Sequence, residues 1–285
     1  MNRRTFIPTF LSAGFGFSLL RQLALAADEP KPLPVLFIGH GSPMNAIETN
    51  AFSKTWLELG KKIARPKIIL CISAHWETRG TFITSMEKPK TIHDFGGFPK
   101  ALFDAQYPAP GAPSFTKELV SSKPSIKQDH EWGLDHGAWS ILKQMYPAAN
   151  IPVVQLSLDY TQGPAYHYQL GKELASLRKK GVLIIGSGNM IHNLGMLDWS
   201  HPDLGFDWAQ QLNLKLKTAI SNRNHSALQQ YQQFDPSMKL AAPSPEHYLP
   251  LLYILGLQEK TESAYFFNDS LQMGSISMTS VAFGL

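Results

Sequence analysis

The sequence has almost no cysteine, and this scarcity excludes two kinds of structure. Cys71 is the only cysteine among the 285 residues, so the chain can form neither an internal disulfide nor a metal site built from clustered thiolates. It stands inside the apolar run at residues 68–72. We therefore expect Cys71 to be a buried apolar side chain rather than a nucleophile or a metal ligand.

A surplus of basic charge is also missing once the first 26 residues are set apart. The chain has a net charge of +4, but residues 1–26 contain Arg3, Arg4 and Arg21 and no acidic residue. Three of the 26 basic residues thus lie there, which leaves 23 against 22 acidic ones. Such a balance provides no basic surface for nucleic acid, so we expect no nucleic-acid partner.

The first 26 residues have the plan of an export signal. Arg3 and Arg4 precede a moderately apolar stretch at residues 6–20, and residues 24–26 form a small-x-small cleavage site. The paired arginines before Thr-Phe-Ile resemble the twin-arginine type. We therefore expect residues 1–26 to be a cleavable signal peptide of this type and the protein to be periplasmic or exported. An N-terminal anchor helix is the alternative.

The sequence has no good membrane span, no internal repeat and no obvious linker. The stretch at residues 6–20 is short and is interrupted by Pro8, Gly14 and Gly16, and no later segment comes closer. No fixed period recurs. We expect residues 27–285 to form one domain without a membrane span, as a monomer or a small homo-oligomer.

Short apolar runs alternate with stretches of helical periodicity. Strands are predicted at residues 35–38, 67–72, 81–84, 152–158, 182–185, 263–267 and 275–283. Helices are predicted at residues 52–64, 115–120, 138–145, 165–177, 207–221, 226–233 and 247–255. This alternation predicts an α/β fold, with a single domain whose central, mostly parallel or mixed sheet is flanked by helices.

Residues 85–113 form a long segment rich in proline, glycine and aromatic residues. Long irregular segments in compact domains are usually functional or disordered, and the many large apolar side chains argue against disorder. The segment is either a wall or lid of a pocket or a packed structural loop. In the first case Phe95, Phe98 and Tyr107, with Trp76, would provide a flat pocket poor in water.

Histidines stand near the ends of several predicted strands. His40, His75 and His192 lie at or shortly after such ends, and the carboxyl ends of parallel strands share one edge of a sheet. His247 opens a predicted helix after residues 243–246 and can reach the same edge. Imidazole suits iron, zinc and copper, and open positions suit a catalytic metal. The pattern favours a metal site at the strand C-terminal ends; histidines satisfied by backbone hydrogen bonds are the alternative.

The other histidines and the nearby carboxylates are weaker candidates. His136 either faces substrate, supports a ligand or is structural, while His93 and His130 either line the pocket or are structural. The three histidines expected to be solvated are His167, His201 and His225. The carboxylates that are candidates to fix imidazole tautomers are Asp94, Asp135 and Asp159.

Taken together, these motifs resemble the class III extradiol ring-cleavage dioxygenases, and specifically the 4,5-DOPA extradiol dioxygenase-like branch. The matching segments are residues 39–43, 73–76, 91–95, 97–99, 107–111, 133–137, 152–157, 186–189, 192–194, 245–251 and 275–284. So many matches in one order are far more specific than any single motif. Two features depart from the branch: the export leader, and Gly96 in place of a bulkier residue, which could alter the pocket.

The resemblance implies a non-haem Fe(II) enzyme that opens a catechol ring, with a 4,5-DOPA-like substrate, using O2 to give a semialdehyde. Zn(II) is the alternative metal. The resemblance also implies that His40, His75 and His247 bind the metal. Glu246, beside His247, is the alternative third ligand, as in sites with two histidines and one carboxylate.

The resemblance further implies that His192 is either an acid/base or a fourth metal ligand. His136 would hold the substrate or an intermediate. Two other functions stay open: a zinc-dependent hydrolase that activates water, and a non-catalytic periplasmic metal-binding protein.

Overall fold

The computed structural model describes residues 31–285, so the predicted signal peptide lies outside the described residues. The strands are β1 (Val35–Gly39), β2 (Ile68–Thr78), β3 (Thr81–Thr84), β4 (Ile126–Asp129), β5 (Val153–Asp159), β6 (Val182–Gly188), β7 (Ala264–Phe267), β8 (Leu271–Gln272), β9 (Ile276–Ser277) and β10 (Ser280–Phe283). The helices are α1 (Ala51–Lys62), α2 (Lys100–Phe103), α3 (Pro113–Ser122), α4 (His136–Met145), α5 (Pro164–Leu174), α6 (Ser176–Lys179), α7 (Asp207–Ser221), α8 (His225–Gln229), α9 (Tyr231–Phe234), α10 (Met238–Ala241) and α11 (Leu249–Leu257).

One mixed sheet organises this part of the chain. Its eight strands follow the order β4-β3-β5-β2-β6-β1-β10-β7, and β8 and β9 form a separate pair. The central strands β5, β2, β6 and β1 are parallel, while β10 and β3 join them antiparallel. The parallel centre with antiparallel neighbours confirms the predicted α/β fold and mixed sheet.

Helices cover both faces of the sheet. Successive side chains of β1 alternate between the faces: Val35 and Phe37 lie in one apolar cluster with α5 and α11, and Leu36 and Ile38 lie in another with α1 and α4. The central strands are therefore held from both sides, which fixes the positions of their carboxyl ends. No helix within residues 31–285 combines the length and apolar character needed to cross a membrane.

Two predicted helices differ from the observed ones. The helix predicted at residues 247–255 begins at Leu249, so His247 lies in the turn before α11. Pro250 accounts for this difference, because proline lacks the N–H that a helix uses beyond its first turn. The helix predicted at residues 226–233 is interrupted at Gln230, whose backbone angles (φ −94°, ψ 36°) are not helical.

Two strand predictions also need correction, and two strands, β4 and β8, were not predicted. β2 continues to Thr78, so His75 lies inside the strand rather than after it. The strand predicted at residues 275–283 is two strands, β9 and β10, in different sheets. β4 was not predicted, because residues 127–129 are polar, as is common in the edge strand of a sheet.

Two histidines predicted to be solvated are buried instead. His167 on α5 is completely buried, and its Nδ1 lies 3.1 Å from the Tyr253 hydroxyl. His225 is 8% exposed, and its ring nitrogens lie 3.1 Å from the Tyr168 hydroxyl and 2.9 Å from Gln258 Oε1. The prediction was wrong because buried imidazoles that find polar partners leave no mark on the hydrophobic pattern.

Candidate metal and catalytic site

Three histidine rings converge at the carboxyl ends of the central strands. His40 follows β1, His75 lies near the end of β2, and the His247 carbonyl accepts the N–H of Asn189 just after β6. The ring centroids are 4.9 Å apart for His40 and His75, 5.3 Å for His40 and His247, and 5.0 Å for His75 and His247. Each ring offers a nitrogen within 4.8 Å of the other two. The parallel sheet thus brings the three predicted ligands together.

Glycine and asparagine shape the loop that carries His40. Gly41 has a φ of +58°, a left-handed conformation that disfavours side chains, and a Cβ there would also collide with Met278. Asn45 Nδ2 donates to the His40 carbonyl over 3.0 Å. Gly188, at the end of β6, leaves room for the carbonyl of His247. Close backbone approach therefore places both rings at the sheet edge.

Protein oxygens hold the outer nitrogens of two of these rings. His40 Nδ1 lies 3.0 Å from Ser187 Oγ, and Ser187 donates its own proton to the Gly137 carbonyl over 2.6 Å. The Ser187 oxygen therefore accepts from His40 Nδ1. His247 Nδ1 likewise lies 3.0 Å from Glu246 Oε1, so Glu246 acts here as the partner of His247. A proton on each Nδ1 leaves the lone pair on the inward Nε2.

The inner nitrogens of the same rings lack ordinary partners. His247 Nε2 is buried and has no hydrogen-bond partner in the described part of the chain. His40 Nε2 lies 3.0 Å from His75 Nε2. A buried unpaired polar atom is unfavourable, whereas nitrogens this close together can reach one ion at about 2.1 Å each. The donor set therefore fits a divalent metal ion.

Burial keeps these three imidazoles neutral. It is the largest influence on each of them: it lowers the pKa of His75 to about 3 and holds the pKa of His40 and His247 well below the usual value. The neighbouring imidazoles lower these pKa values further. Since a histidine must be neutral to ligate a metal, these three imidazoles are in the protonation state that metal binding requires.

His136 and Asp94 flank His75. The His136 ring, at the start of α4, is centred 3.9 Å from the His75 ring. Asp94 Oδ1 accepts the backbone N–H of His136 over 2.9 Å and lies 3.0 Å from its Nδ1, which is not aligned to donate. Asp94 Oδ2 is 3.6 Å from His75 Nδ1. Burial alone would raise the pKa of Asp94, but its contacts with His136 outweigh this and lower it. An ionised Asp94 therefore lies beside both rings.

His192 stacks on His247. The two ring centroids are 3.5 Å apart and the planes differ by 7°. Ligand atoms of His192, Glu246 and His247 do lie within 4.8 Å of one another. Because the lone pair of an imidazole nitrogen lies in the plane of its ring, however, two parallel stacked rings are poorly directed at one ion. Burial lowers the pKa of His192 to about 4, although Glu246 opposes this. His192 is therefore a neutral imidazole beside the three converging rings.

The segment at residues 85–113 reaches the site with part of its length. The Phe95 ring is centred 5.6 Å from that of His136 and 5.5 Å from that of Phe98. The segment also contains α2, whose Leu102 is completely buried in the core. The segment is thus a wall of the site near Phe95 and a packed structural loop beyond it.

Two other aromatic residues predicted to line the pocket have different surroundings. Tyr107 is 1% exposed, lies in the core and donates its hydroxyl to the Tyr146 carbonyl over 3.1 Å, so its assignment to the pocket is wrong. Trp76 is 3% exposed and lies parallel to Trp132, with ring centroids 5.6 Å apart. The phenylalanines, rather than these two residues, supply the apolar surface beside His136.

Four further residues singled out from the sequence lie elsewhere. His93 Nε2 is 2.8 Å from the Ala105 carbonyl, within the aromatic segment. His130 is exposed after β4, and Asp159 accepts hydrogen bonds in the turn after β5. His201 is exposed, as predicted. The structural interpretation therefore fits His93 and His130, while Asp159 bonds to a turn rather than to an imidazole.

Sequence reasoning missed the polar residues that support the site from within the sheet. Ser73 of β2 is paired with Ser187 of β6, and Gln155 of β5 is paired with Cys71 of β2. Polar residues near the ends of neighbouring buried strands are the signal that could have found them. Asp135 contacts Ser73 and Gln155 rather than an imidazole, so its predicted role of fixing an imidazole tautomer is wrong.

Known proteins share both the sequence and the fold of this chain. Residues 34–284 match the family described as the catalytic LigB subunit of aromatic ring-opening dioxygenase. The chain is 43% identical to the 4,5-DOPA dioxygenase extradiol of Escherichia coli K12, over 88% of this chain and 95% of that protein. It is 39% identical to the protein of the same name from Beta vulgaris, over 87% of this chain and 95% of that protein.

A solved structure agrees with these relatives. The crystal structure of an uncharacterized protein from Escherichia coli K12 superposes with a TM-score of 0.78 at 40% identity, covering 88% of this chain and all of that one. The matched family spans nearly the whole described region, including all the histidines that converge. The chain therefore belongs to the family of class III extradiol dioxygenases, metal-dependent enzymes that open an aromatic ring with O2.

Proposed function

We propose that this dioxygenase opens the ring of a 4,5-DOPA-like catechol and gives a semialdehyde, using an Fe(II) ion held by His40, His75 and His247. The observation that carries the proposal is the convergence of three neutral imidazoles, with the buried Nε2 of His247 lacking a partner among residues 31–285. Relatives named 4,5-DOPA dioxygenase extradiol support the choice of substrate.

The reaction, more than the ligands, favours iron over zinc. Imidazole nitrogens suit both ions, but zinc has no redox chemistry of its own. When bound, Fe(II) would let electron density pass from the catechol to O2. His40, His75 and His247 would hold the ion from one side, and the hydrogen bonds that His40 and His247 donate to Ser187 and Glu246 would fix the orientation of these two rings.

His192 would move the proton of the catechol. It is neutral, and its ring lies parallel to that of His247 rather than directed at the same point. A neutral imidazole in this place can accept the proton of a catechol hydroxyl and return it later. This arrangement supports an acid/base role for His192 over a role as a fourth ligand.

His136 and the phenylalanines would hold the substrate. Asp94, which also lies beside His75, contacts the backbone and ring of His136. These contacts would fix the orientation of the His136 imidazole. Phe95 packs against His136 and Phe98, and these flat apolar rings would cover the catechol and exclude water.

Anaerobic loading with Fe(II), followed by a panel of catechols in air, tests the proposal. We expect a yellow ring-opened product that requires both Fe(II) and O2, with 4,5-DOPA among the substrates. The matched controls are the same protein loaded with Zn(II) and a His40→Ala variant, both of which should give no product. Absence of product with every catechol would refute the proposal, and hydrolytic activity with zinc in the absence of O2 would favour a hydrolase.

We also propose that residues 1–26 export the enzyme through the twin-arginine route. Arg3 and Arg4, the apolar stretch and the small-x-small site at residues 24–26 support it. Fractionation of a bacterium that makes the full chain should place the enzyme in the periplasm, with Ala27 at its N-terminus. Replacing both arginines by lysine should retain it in the cytoplasm, and cytoplasmic full-length protein without these replacements would contradict export.

A further inference from the structure

One buried carboxylate joins the elements that carry two site histidines. Asp135 is completely buried and is the N-cap of α4, whose first residue is His136. Its Oδ1 accepts the N–H of Ala138 over 3.2 Å and the hydroxyl of Ser73 over 2.7 Å. The Ser73 oxygen in turn accepts the N–H of His75 over 3.2 Å. The carboxylate is therefore linked to His75 through the Ser73 hydroxyl, and it belongs to the residue directly before His136.

Gln155 holds Asp135 from the side of the sheet. The backbone N–H of Asp135 donates to Gln155 Oε1 over 2.9 Å, and Gln155 Nε2 donates to Asp135 Oδ2 over 2.5 Å. The N–H of Gln155 is itself bonded to Thr84 Oγ1. Because an amide side chain presents one acceptor and one donor group, this double contact fixes both the place and the orientation of the carboxylate. A central strand thus sets where α4 begins.

The first turn of α4 leaves no free space against His75. A Cβ added to Gly137 would lie 2.5 Å from Ser73 Oγ, 2.9 Å from His75 Cδ2 and 3.2 Å from Asp135 Oδ1. These distances are shorter than normal van der Waals contacts, so only glycine fits. A displacement of the Asp135 carboxylate would therefore be passed directly to the His75 ring.

The same turn also reaches His40. The Gly137 carbonyl accepts the hydroxyl of Ser187, and Ser187 holds His40 Nδ1. Any shift of this turn would therefore alter the direction of the His40 ring as well.

We propose that Asp135 is a positioning residue, anchored by Gln155, that sets the places of His75 and His136 for metal and substrate binding. The inference rests on the proposed function only in taking a metal ion to be what His75 binds. Asp135 acts through its hydrogen bonds and touches neither the ion nor the substrate.

Exchanging the hydrogen-bond donor and acceptor between residues 135 and 155 tests whether Asp135 acts through its hydrogen bonds or only by filling buried space. Asp135→Asn keeps the shape of the side chain but sets an amide donor against another donor, either Gln155 Nε2 or the N–H of Ala138. Adding Gln155→Glu restores the pattern, because the new carboxylate can accept both the introduced amide and the backbone N–H of residue 135. The double variant keeps the same total charge as Asp135 with Gln155.

Co(II) binding to the metal-free full chain, followed by anaerobic visible absorption, provides a readout independent of turnover. We expect Asp135→Asn to weaken Co(II) binding about 10–100-fold, and the double variant to recover most of that loss. Thr81→Val is the matched control, since it removes a buried hydroxyl bonded to Tyr166 elsewhere in the fold. It should lower the melting temperature and leave Co(II) affinity unchanged.

Unchanged Co(II) affinity in a folded Asp135→Asn variant would overturn the proposal. So would a folded double variant that recovers none of the affinity lost in Asp135→Asn. Should Asp135→Asn fail to fold, Ser73→Ala carries the same test, because it removes only the link to His75; unchanged affinity there would also overturn the proposal. Absence of catechol turnover would refute the proposed function without altering these Co(II) measurements, so the two failures are distinguishable.

Discussion

Two groups of buried histidines differ in what their ring nitrogens contact. Both nitrogens of His225 are bonded to protein groups, whereas His40 and His247 have one nitrogen held by protein and the other turned toward a shared centre. Burial lowers the pKa of the imidazole in both groups. Neither burial nor a low pKa therefore distinguishes a functional histidine from a structural one. The convergence of unpaired nitrogens does.

His167 shows that one unpaired nitrogen is not sufficient. Its Nδ1 lies near the Tyr253 hydroxyl, while its buried Nε2 has no hydrogen-bond partner among the described residues. Yet none of the groups of metal-ligating side chains found in residues 31–285 includes it. A metal site needs several such nitrogens at one place. His40 and His75 supply them from the ends of β1 and β2, and His247 supplies one from the turn before α11.

Removing His247 should have the largest effect on metal binding and turnover, and removing His225 should affect neither. With one of the three proposed ligands gone, His247→Ala should weaken metal binding beyond the ~100-fold typical of losing an outer partner and abolish ring opening. Iron per chain after dialysis and catechol turnover are the measurements. The matched control is His225→Ala, which should keep its iron. Retention of iron by the first variant, or its loss from the control, would contradict the distinction.

Removing His192 should separate catalysis from metal binding. His192→Ala should lower kcat by about 10²–10⁴-fold, because a proton acceptor is lost, while most of the metal stays bound. Turnover and metal content measured on the same sample check this. Replacing exposed His201 by alanine should change neither quantity. Loss of the metal from His192→Ala would instead make His192 a ligand.

Adding one methyl group beside His75 should disturb the site more moderately. Gly137→Ala would normally favour a helix by about 1 kcal/mol, but here the new Cβ would press on Ser73 and His75. We expect lower thermal stability and about tenfold weaker metal binding. At Gly163, the N-cap of α5, no atom of the described chain lies within 4 Å of an added Cβ, so Gly163→Ala should leave metal affinity unchanged. A stabilised Gly137→Ala variant with full metal affinity would show that the packing does not position the ligand.

The smallest effect should come from the structural histidine, and only on stability. His225→Ala leaves the Tyr168 hydroxyl and Gln258 amide without their partner, which should lower the free energy of unfolding by about 1–3 kcal/mol. Urea denaturation gives this value, and iron content and kcat should stay as in the native enzyme. An activity loss in the folded variant would give His225 a role that its contacts do not suggest.

The sequence was sufficient to predict that several histidines meet at one edge of the sheet. His40 and His75 lie near the ends of apolar strands, and parallel strands bring such ends to one edge. This reasoning needs only the strand pattern and no side-chain detail. It placed His40, His75 and His192 at one edge with His247 within reach, and this held although the start of α11 and the end of β2 differ from the prediction. The choice of His40, His75 and His247 as the three ligands came from the resemblance to known dioxygenases.

The support around these rings could not be predicted in the same way. The bond from Ser73 to Asp135 and the pair formed by Asp135 and Gln155 depend on how β2, β5 and α4 are aligned. The burial of His167 and Tyr107 depends on partners that are distant in sequence. Alignment between elements is decided by packing of the whole domain, which a local pattern does not contain.

Anomalous diffraction from crystals loaded anaerobically with Fe(II) would test the central claim most directly. The predicted result is one iron peak about 2 Å from Nε2 of His40, His75 and His247, with His192 still stacked on His247 and outside the coordination sphere. An iron peak that lies away from these three nitrogens, or one that His192 also ligates, would contradict the account.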